Sequence, residues 1–559
     1  MTRHSQAASV AAIFSVAALL SSCASVGTAQ QGAAQQGAAQ QGATPGPRTR
    51  AEITNYRETS LHADVVAFVD SLKALKAPIV VQELGRSPKG KVLPLVIASR
   101  PQVSTPAEAR RLNRPIVYVQ ANIHAGEVEG KEAVLALLRE WSFGKRPNVL
   151  DSLVVIVVPI YNADGNDTLG PQARNRGSQN GPEMIGLRPN GMGLDLNRDY
   201  IKAEAPETRA SLAQFNAWDP DVFMDLHTTN GSYHGYALTY SPSLHPAAPL
   251  APYTSDTLLP ELRRRMQTRH NFETFPYGNF TSDGRESLTA TDKSGWWTYE
   301  HKQRFGSNYY GLRGRISILS EAYSHDPFER RVMSTRAFVQ EALSLVAERR
   351  QQIRARIAAG TAASTFANAR NVTVPISARF ARPDTQGVLV EVIERMSDTT
   401  AMSEPGMRRG YRRTGRVVTT RMPVVDRFEA VRTQRPAYGY VLESVADSVI
   451  DHLRLHGLTP QRISGDTPAS LEVFTVDSVS FGRAFQGHRE ASVTGSWSKV
   501  SRPVKAGSFV VRMGTPLDLL AMQLLEPQSD DGLLTWNAFD AALGRGREFP
   551  VYRLAAPLR

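Results

Sequence analysis

Four short apolar runs constrain this chain more than any other feature. They cover residues 115–119, 152–160, 221–226 and 314–320, and β-branched residues such as Ile116, Val117, Val119, Ile316 and Ile318 fill them. Runs of this length and composition predict strands buried inside a sheet. Stretches with helical apolar spacing fall between them. One begins at Val128, where Val134, Leu135, Leu137, Leu138 and Trp141 make a broad apolar face among Glu129, Lys131, Glu132 and Arg139. Residues 206–218, with Pro206 in the first turn, and residues 258–270 are two more. Upstream, 61–75 predicts a helix, and 79–84 and 92–98 predict an antiparallel hairpin through a turn-rich connector at 85–90. Downstream, 326–358 predicts one long helix, opened by Asp326 and Pro327 and stopped by Gly360. Helices alternating with buried strands predict an α/β fold, a mixed sheet flanked by helices.

Three of the runs empty into chemistry. After 115–119 comes Ala121-Asn122-Ile123-His124-Ala125-Gly126-Glu127, which places His124 past a strand end and Glu127 in a first helical turn. Gly126 leaves the backbone room to bend there. His227 follows the third run and Glu321 the fourth. In open α/β sheets, ligand sites form at this edge. A His-x-x-Glu spacing alone arises often by chance. With His227 it supplies two imidazoles and one carboxylate, a set that suits a catalytic zinc with an open position for water. Glu321 is then a candidate general base, accepting the water's proton and passing it to a leaving amine. The plainer alternatives are a satisfied core histidine at 227 and a Glu321 carboxylate paired with Arg315 or Arg330. The run at 152–160 ends in Tyr161-Asn162-Ala163-Asp164-Gly165, and residues 168–194 form a long irregular segment rich in Gly, Pro, Asn and Arg. Loops of that length in a compact domain are often functional. It ends in Leu194-Asp195-Leu196-Asn197-Arg198-Asp199-Tyr200.

With these residues in place, the stretch from about Tyr56 to Arg356 resembles the zinc metallocarboxypeptidases of the carboxypeptidase A type. Even the Gly85-Arg86-Ser87 hairpin looks like the family's entry segment. The resemblance implies that His124, Glu127 and His227 bind one zinc ion and that Glu321 is the catalytic base. It implies that Asn197 and Arg198 grip the terminal carboxylate of a peptide substrate, with Asp195 supporting the first zinc histidine. An arginine that polarises the scissile carbonyl lies, in the family, between the Asn-x-Asp-Gly turn and the Asn-Arg pair. Arg174, Arg176 and Arg188 all occupy that interval; Arg176 is the choice, with Arg174 next. For the family's mobile tyrosine the choice is Tyr309, beside Tyr310. A zinc deacylase of the aspartoacylase kind shares His-x-x-Glu, Asp-Leu-Asn-Arg and Asp-Leu-His with this chain. A non-catalytic binding lipoprotein that keeps the fold is a third reading.

At 559 residues the chain exceeds one domain. Residues 1–23 read as an export signal, with Arg3 and His4 before a small, apolar 7–20 stretch too short to span a membrane. Leu20-Ser21-Ser22-Cys23 resembles a bacterial lipobox, which implies lipidation at Cys23, the only cysteine. The product would be a membrane-anchored envelope lipoprotein, with a periplasmic or secreted form as the alternative. Residues 24–50 form a low-complexity tether in which Gln-Gln-Gly-Ala recurs. Residues 51–358 make the catalytic region. Residues 361–559, with short strand-like runs and few helices, predict a mostly β accessory domain. The net charge of +12 comes from scattered Arg, apart from 263–265 and 408–413, with no nucleic-acid motif.

Overall fold

The apolar runs become the middle of an eight-stranded sheet in this computed structural model, which describes residues 45–282, 285–287, 289–291, 293–366, 371–398, 407 and 410–558. The export signal, Cys23 and most of the tether lie outside the described residues, as do Arg408 and Arg409. The strands are β1 (Ile79–Arg86), β2 (Val92–Ala98), β3 (Ile116–Ala121), β4 (Val154–Val158), β5 (Val222–Thr228), β6 (Leu238–Pro242), β7 (Thr274–Pro276) and β8 (Ile316–Ala322). Their order is β1-β2-β4-β3-β5-β8-β6-β7. The central four, β4, β3, β5 and β8, run parallel, and the β1–β2 hairpin is antiparallel as expected. Every residue of those four is buried, because parallel strands are covered on both faces. Phe215 of helix Pro206–Trp218 stacks on Tyr310 of helix Gly306–Leu312 at 3.7 Å, and Tyr310 meets Phe223 of β5 at 4.3 Å. Side chains alternate along a strand, so Phe223, Asp225 and His227 share that face. The opposite face carries Tyr240, which meets Phe338 of helix Phe328–Glu348.

The helix after the His-x-x-Glu segment runs Glu129–Phe143 and is buried from Glu129 to Leu138 and beyond, polar residues included. Glu132 accepts from the Ser60 amide and hydroxyl and the Thr59 hydroxyl at 2.7–2.9 Å. Lys131 donates to the Ser60 carbonyl and Asn166 Oδ1, and burial pushes its amine down to about 8. The charged side is therefore a satisfied interior network instead of a solvated face. Glu127 stands ahead of this helix, not within its first turn. The single helix expected over 326–358 is two, Phe328–Glu348 and Arg350–Ala363, broken at Arg349. Gly360 does not stop the second. A Cβ there would sit 2.8 Å from Leu250 Cγ and 2.9 Å from the Gly314 carbonyl, so the position requires glycine for close packing.

The region after residue 371 is rich in strands, as expected. Long antiparallel ribbons pair Asp384–Arg395 with Tyr411–Val425 and Thr467–Phe485 with His488–Val504. Strand Tyr411–Val425 also pairs with Ser294–Trp297, so both regions contribute to one five-stranded sheet. Pro45–Arg559 form one compact unit. Among the described residues no helix is long and apolar enough to cross a membrane.

Candidate active site

Strands β5 and β8 lie side by side in register, with His227 opposite Glu321. Each is the last residue but one of its strand and does not lie in the loop beyond. From β3 the chain bends at Asn122, whose φ is +63°, and its side-chain amide donates to the Ala125 and Glu127 carbonyls at 3.3 and 3.2 Å. Asparagine tolerates this left-handed backbone. The Glu127 amide closes the turn on the His124 carbonyl at 2.9 Å. His124 and Glu127 are thereby aimed back at the end of β5. A Cβ on Gly126 would lie 3.1 Å from the Gly186 carbonyl, so the bend leaves just enough space for the 168–194 segment.

Three donor atoms converge. His124 Nδ1 is 3.0 Å from Glu127 Oε1, His227 Nδ1 is 3.0 Å from Glu127 Oε2, and the two Nδ1 atoms are 3.2 Å apart. This is the one group among the described residues whose spacing could hold a metal ion. Two ligand atoms bound tetrahedrally to zinc at 2.0–2.1 Å stand about 3.3 Å apart, so the set fits. Each ring is braced from behind: His124 Nε2 faces Asp195 Oδ1 at 3.1 Å, and His227 Nε2 faces Asp225 Oδ2 at 3.1 Å. Such carboxylates fix ring orientation and leave the opposite nitrogen free for the metal. Burial alone would raise the Asp195 carboxyl, but His124 and Arg188 hold it well below the usual range. Asp225 is an addition to the sequence reading. Its signal is its position two residues before His227, on the same strand face.

Glu321 is buried, and its Oε2 has no hydrogen-bond partner among the described residues. Arg315 pairs with Asp219 and Arg330 with Asp326, so neither neutralises it. Burial pushes its carboxyl up to about 8 against the pull of His227, and Glu127 adds to the rise.

The three arginines separate. Arg174 is exposed and donates to Asn175 Oδ1. Arg176 donates to Glu127 Oε1 at 2.7 Å and to the Thr228 and Thr229 carbonyls. Its guanidinium is thus taken up by Glu127 and two backbone carbonyls. Arg188, 37% exposed, pairs with Asp195 at 2.9 Å and reaches Glu127 at 3.5 Å. It is the arginine that borders the cluster with a free flank.

Asn197 and Arg198 lie on a 3-10 turn, Leu196–Arg198, capped by Asp195. Asn197 Oδ1 accepts from the Gly306 amide at 3.0 Å, and its Nδ2 lies 3.5 Å from His227 Nε2. The Arg198 guanidinium sits 4.1 Å above the Phe305 ring and donates to the Asn197 carbonyl. Among the described residues it has no ion-pair partner: Asp195 pairs with His124 and Arg188, and Asp199 faces Lys202. Burial pulls its pKa below the usual value.

Tyr309 is fully buried with its hydroxyl 2.8 Å from His456 Nδ1, and Tyr310 is buried against Ser211 and Phe215. Both lie on a helix packed into the core, away from the three donor atoms. Burial raises the pKa of Tyr277 and of Tyr299, and Glu321 adds to the rise in both. Asn230 donates to the Tyr277 hydroxyl at 3.0 Å, and the Tyr299 hydroxyl meets Ser307 Oγ at 2.7 Å. Tyr299 is only half-buried. No local pattern distinguishes these tyrosines from Tyr309.

Residues 65–313 match the family model of zinc carboxypeptidases. The matched segment holds His124, Glu127, Asp195, Asn197, Arg198 and His227, and stops short of Glu321. No curated protein matches the chain. Among solved structures the chain is similar to a metallo-carboxypeptidase from Burkholderia cenocepacia, at 20% identity over 51% of this chain and 68% of that one, with a TM-score of 0.37. It is also similar to a Pseudomonas aeruginosa metallo-carboxypeptidase in complex with (2-guanidinoethylmercapto)succinic acid, at 19% identity over 52% and 69%, TM-score 0.35. A third is the carboxypeptidase A of Helicoverpa armigera, at 14% identity over 54% and 76%, TM-score 0.37.

Proposed function

We propose, from the match of residues 65–313 to the zinc carboxypeptidase family model, that this chain hydrolyses the last peptide bond of substrates bearing a free C-terminal carboxylate. The observation that carries this reading is Arg198, a half-buried cation without an ion-pair partner among the described residues, next to Asn197, whose Nδ2 lies 3.5 Å from His227. A substrate carboxylate would supply the missing charge through hydrogen bonds from Arg198 and from Asn197 Nδ2. Phe305 beneath the guanidinium keeps water from one side of it.

His124, Glu127 and His227 would hold one zinc ion, which when bound polarises a carbonyl and acidifies water. Asp195 and Asp225 hold the two rings in the orientation this requires. Glu321 takes the proton of the attacking water at Oε2, which is unpaired among the described residues, and delivers it to the amine nitrogen as the C–N bond breaks. Arg188, with its free flank, donates to the scissile carbonyl oxygen, while Arg176 keeps Glu127 in place.

The test is a release assay comparing free-acid peptides, their C-amidated forms and N-acyl amino acids. Rapid release from the free-acid peptides alone supports the carboxypeptidase. Release from N-acyl amino acids alone would favour the deacylase, and binding without turnover a binding protein. Metal content gives an independent check. Pure protein is expected to hold about one zinc per chain, and His227→Ala to lose most of it, since two protein ligands make an incomplete site. Unchanged metal content in that variant removes His227 from the centre.

Export and anchoring form a separate part of the proposal. Cys23 lies in a lipobox-like sequence, and stable anchoring takes two acyl chains because one gives only marginal binding. Cys23→Ser is expected to leave the membrane fraction or to stay unprocessed. Membrane retention at the wild-type level would refute the anchor.

A further inference from the structure

The strand-rich C-terminal region meets the catalytic region at one place that matters for recognition. Arg304, Phe305 and Gly306 run alongside the Asn197–Tyr200 turn. Gly306 donates to Asn197 Oδ1, the Phe305 ring underlies Arg198, and the Arg304 carbonyl faces the Tyr200 amide. Gly306 is pressed so close that a Cβ would sit 2.8 Å from the Tyr200 ring. The segment has no freedom to move without moving Asn197 and Arg198.

Arg304 is in turn fixed from the C-terminal region. Asp531 is fully buried, and its carboxylate accepts from the Arg304 amide at 2.7 Å, Arg304 Nε at 2.9 Å and Trp536 Nε1 at 3.1 Å. Glu490 holds a second guanidinium nitrogen at 2.6 Å, and the Trp536 ring lies 4.5 Å from the guanidinium. The ribbon tip adds another tie, with His488 on Glu204 at 2.9 Å and Gln486 on Lys202 at 3.3 Å. A buried aspartate bonded to both the backbone and the side chain of one residue sets that residue's position and orientation together.

We propose that Asp531, acting through Arg304, is a positioning residue for the carboxylate-binding end of the cleft, so that the C-terminal region is part of the substrate-recognition apparatus. This rests on the carboxypeptidase reading of Arg198. The chain of contacts runs Asp531, Arg304, Phe305, Arg198, and it touches none of the three metal-ligand candidates. Its loss should therefore change recognition of the terminal carboxylate and leave metal binding alone.

The experiment uses the full-length, zinc-loaded protein and a pair of peptides, free acid and C-amidated. Asp531→Asn is expected to lower kcat/KM for the free acid by about tenfold or more, the size typical of removing a supporting shell. The loss should appear mainly in KM, with the amidated peptide and the zinc content unchanged. Glu490→Gln, at a part-exposed position, should act in the same direction but less. Glu548→Gln breaks a more exposed pair with Arg502 in the same region, and should leave the free-acid to amide ratio at the wild-type value. An unchanged ratio in both Asp531→Asn and Glu490→Gln overturns the proposal, as does an equal fall in Glu548→Gln. If Asp531→Asn fails to fold, Glu490→Gln against Glu548→Gln decides alone. A wild type with no preference for the free acid overturns the carboxypeptidase reading first, and this inference with it, before any variant is read.

Discussion

Glu321→Gln is expected to retain its zinc and lose roughly 10²–10⁴-fold in kcat, the range for a positioned acid–base group. The amide keeps the shape and volume of the carboxylate but cannot accept the proton. The Glu321 Oε2 is unpaired among the described residues, and the arginines that could have neutralised it pair with Asp219 and Asp326. Burial raises the Glu321 carboxyl, with Glu127 adding to the rise, which sets it apart from an ordinary exposed carboxylate. The β5–β8 register sets Glu321 beside His227, so it can act on a water held at the centre without being a ligand. Metal analysis paired with turnover on a free-acid peptide checks this. Near-normal turnover in the metal-loaded variant moves the base to another residue. Loss of metal together with turnover would make Glu321 a ligand instead.

What the sequence made legible at this site is what local chemistry writes locally. A strand followed by a bend and a helix places His124 and Glu127 within three residues of each other. His227 and Glu321 each close a buried strand. Parallel strands carry such residues to the same sheet edge, whatever the intervening chain does. The capped turn that bears Asp195, Asn197 and Arg198 is likewise a short-range feature.

What stayed hidden depends on partners far away in sequence. Arg188 rather than Arg176 borders the open side of the cluster because Asn162 binds the Arg188 carbonyl and Gly186 packs on Gly126. Those contacts decide the path of a loop whose composition says only that it is irregular. Glu129, Lys131 and Glu132 have the look of a solvated helix face, yet Ser60, Asn166, Thr228 and Arg331 bury and satisfy them. Tyr309 sits on a helix packed into the core, and the partner of its hydroxyl, His456, lies in the C-terminal region. The Asp531–Arg304 pair spans an even longer stretch of sequence, and neither residue belongs to a motif.

The second large effect is expected at the substrate's terminus. Wild type should hydrolyse free-acid peptides far faster than their C-amidated forms, because the amide leaves Arg198 facing a neutral group in a site built for an anion. Leaving one partner of a buried, hydrogen-bonded charge pair unpaired costs about 2–5 kcal/mol. At about 1.4 kcal/mol per decade this amounts to roughly 30- to 4,000-fold in kcat/KM. The upper part of that range requires the guanidinium to be dry, and the Phe305 ring 4.1 Å beneath it and the Asn197 carbonyl on its NH1 shield one side. The open side still exchanges with solvent, which places the expectation toward the lower part. Arg198→Ala should narrow the gap by slowing only the free-acid peptides, since amidated substrates gain nothing from the cation in wild type. Arg198→Lys should recover part of the gap, because a point charge replaces attraction but not the two-pronged geometry. Equal hydrolysis of free and amidated peptides by wild type would mean that Arg198 is a cation of the cleft wall and that cleavage is not confined to the chain end. A gap that survives Arg198→Ala unchanged would place the carboxylate elsewhere, with Arg188 as the remaining cation that borders the metal-ligand group with an exposed flank.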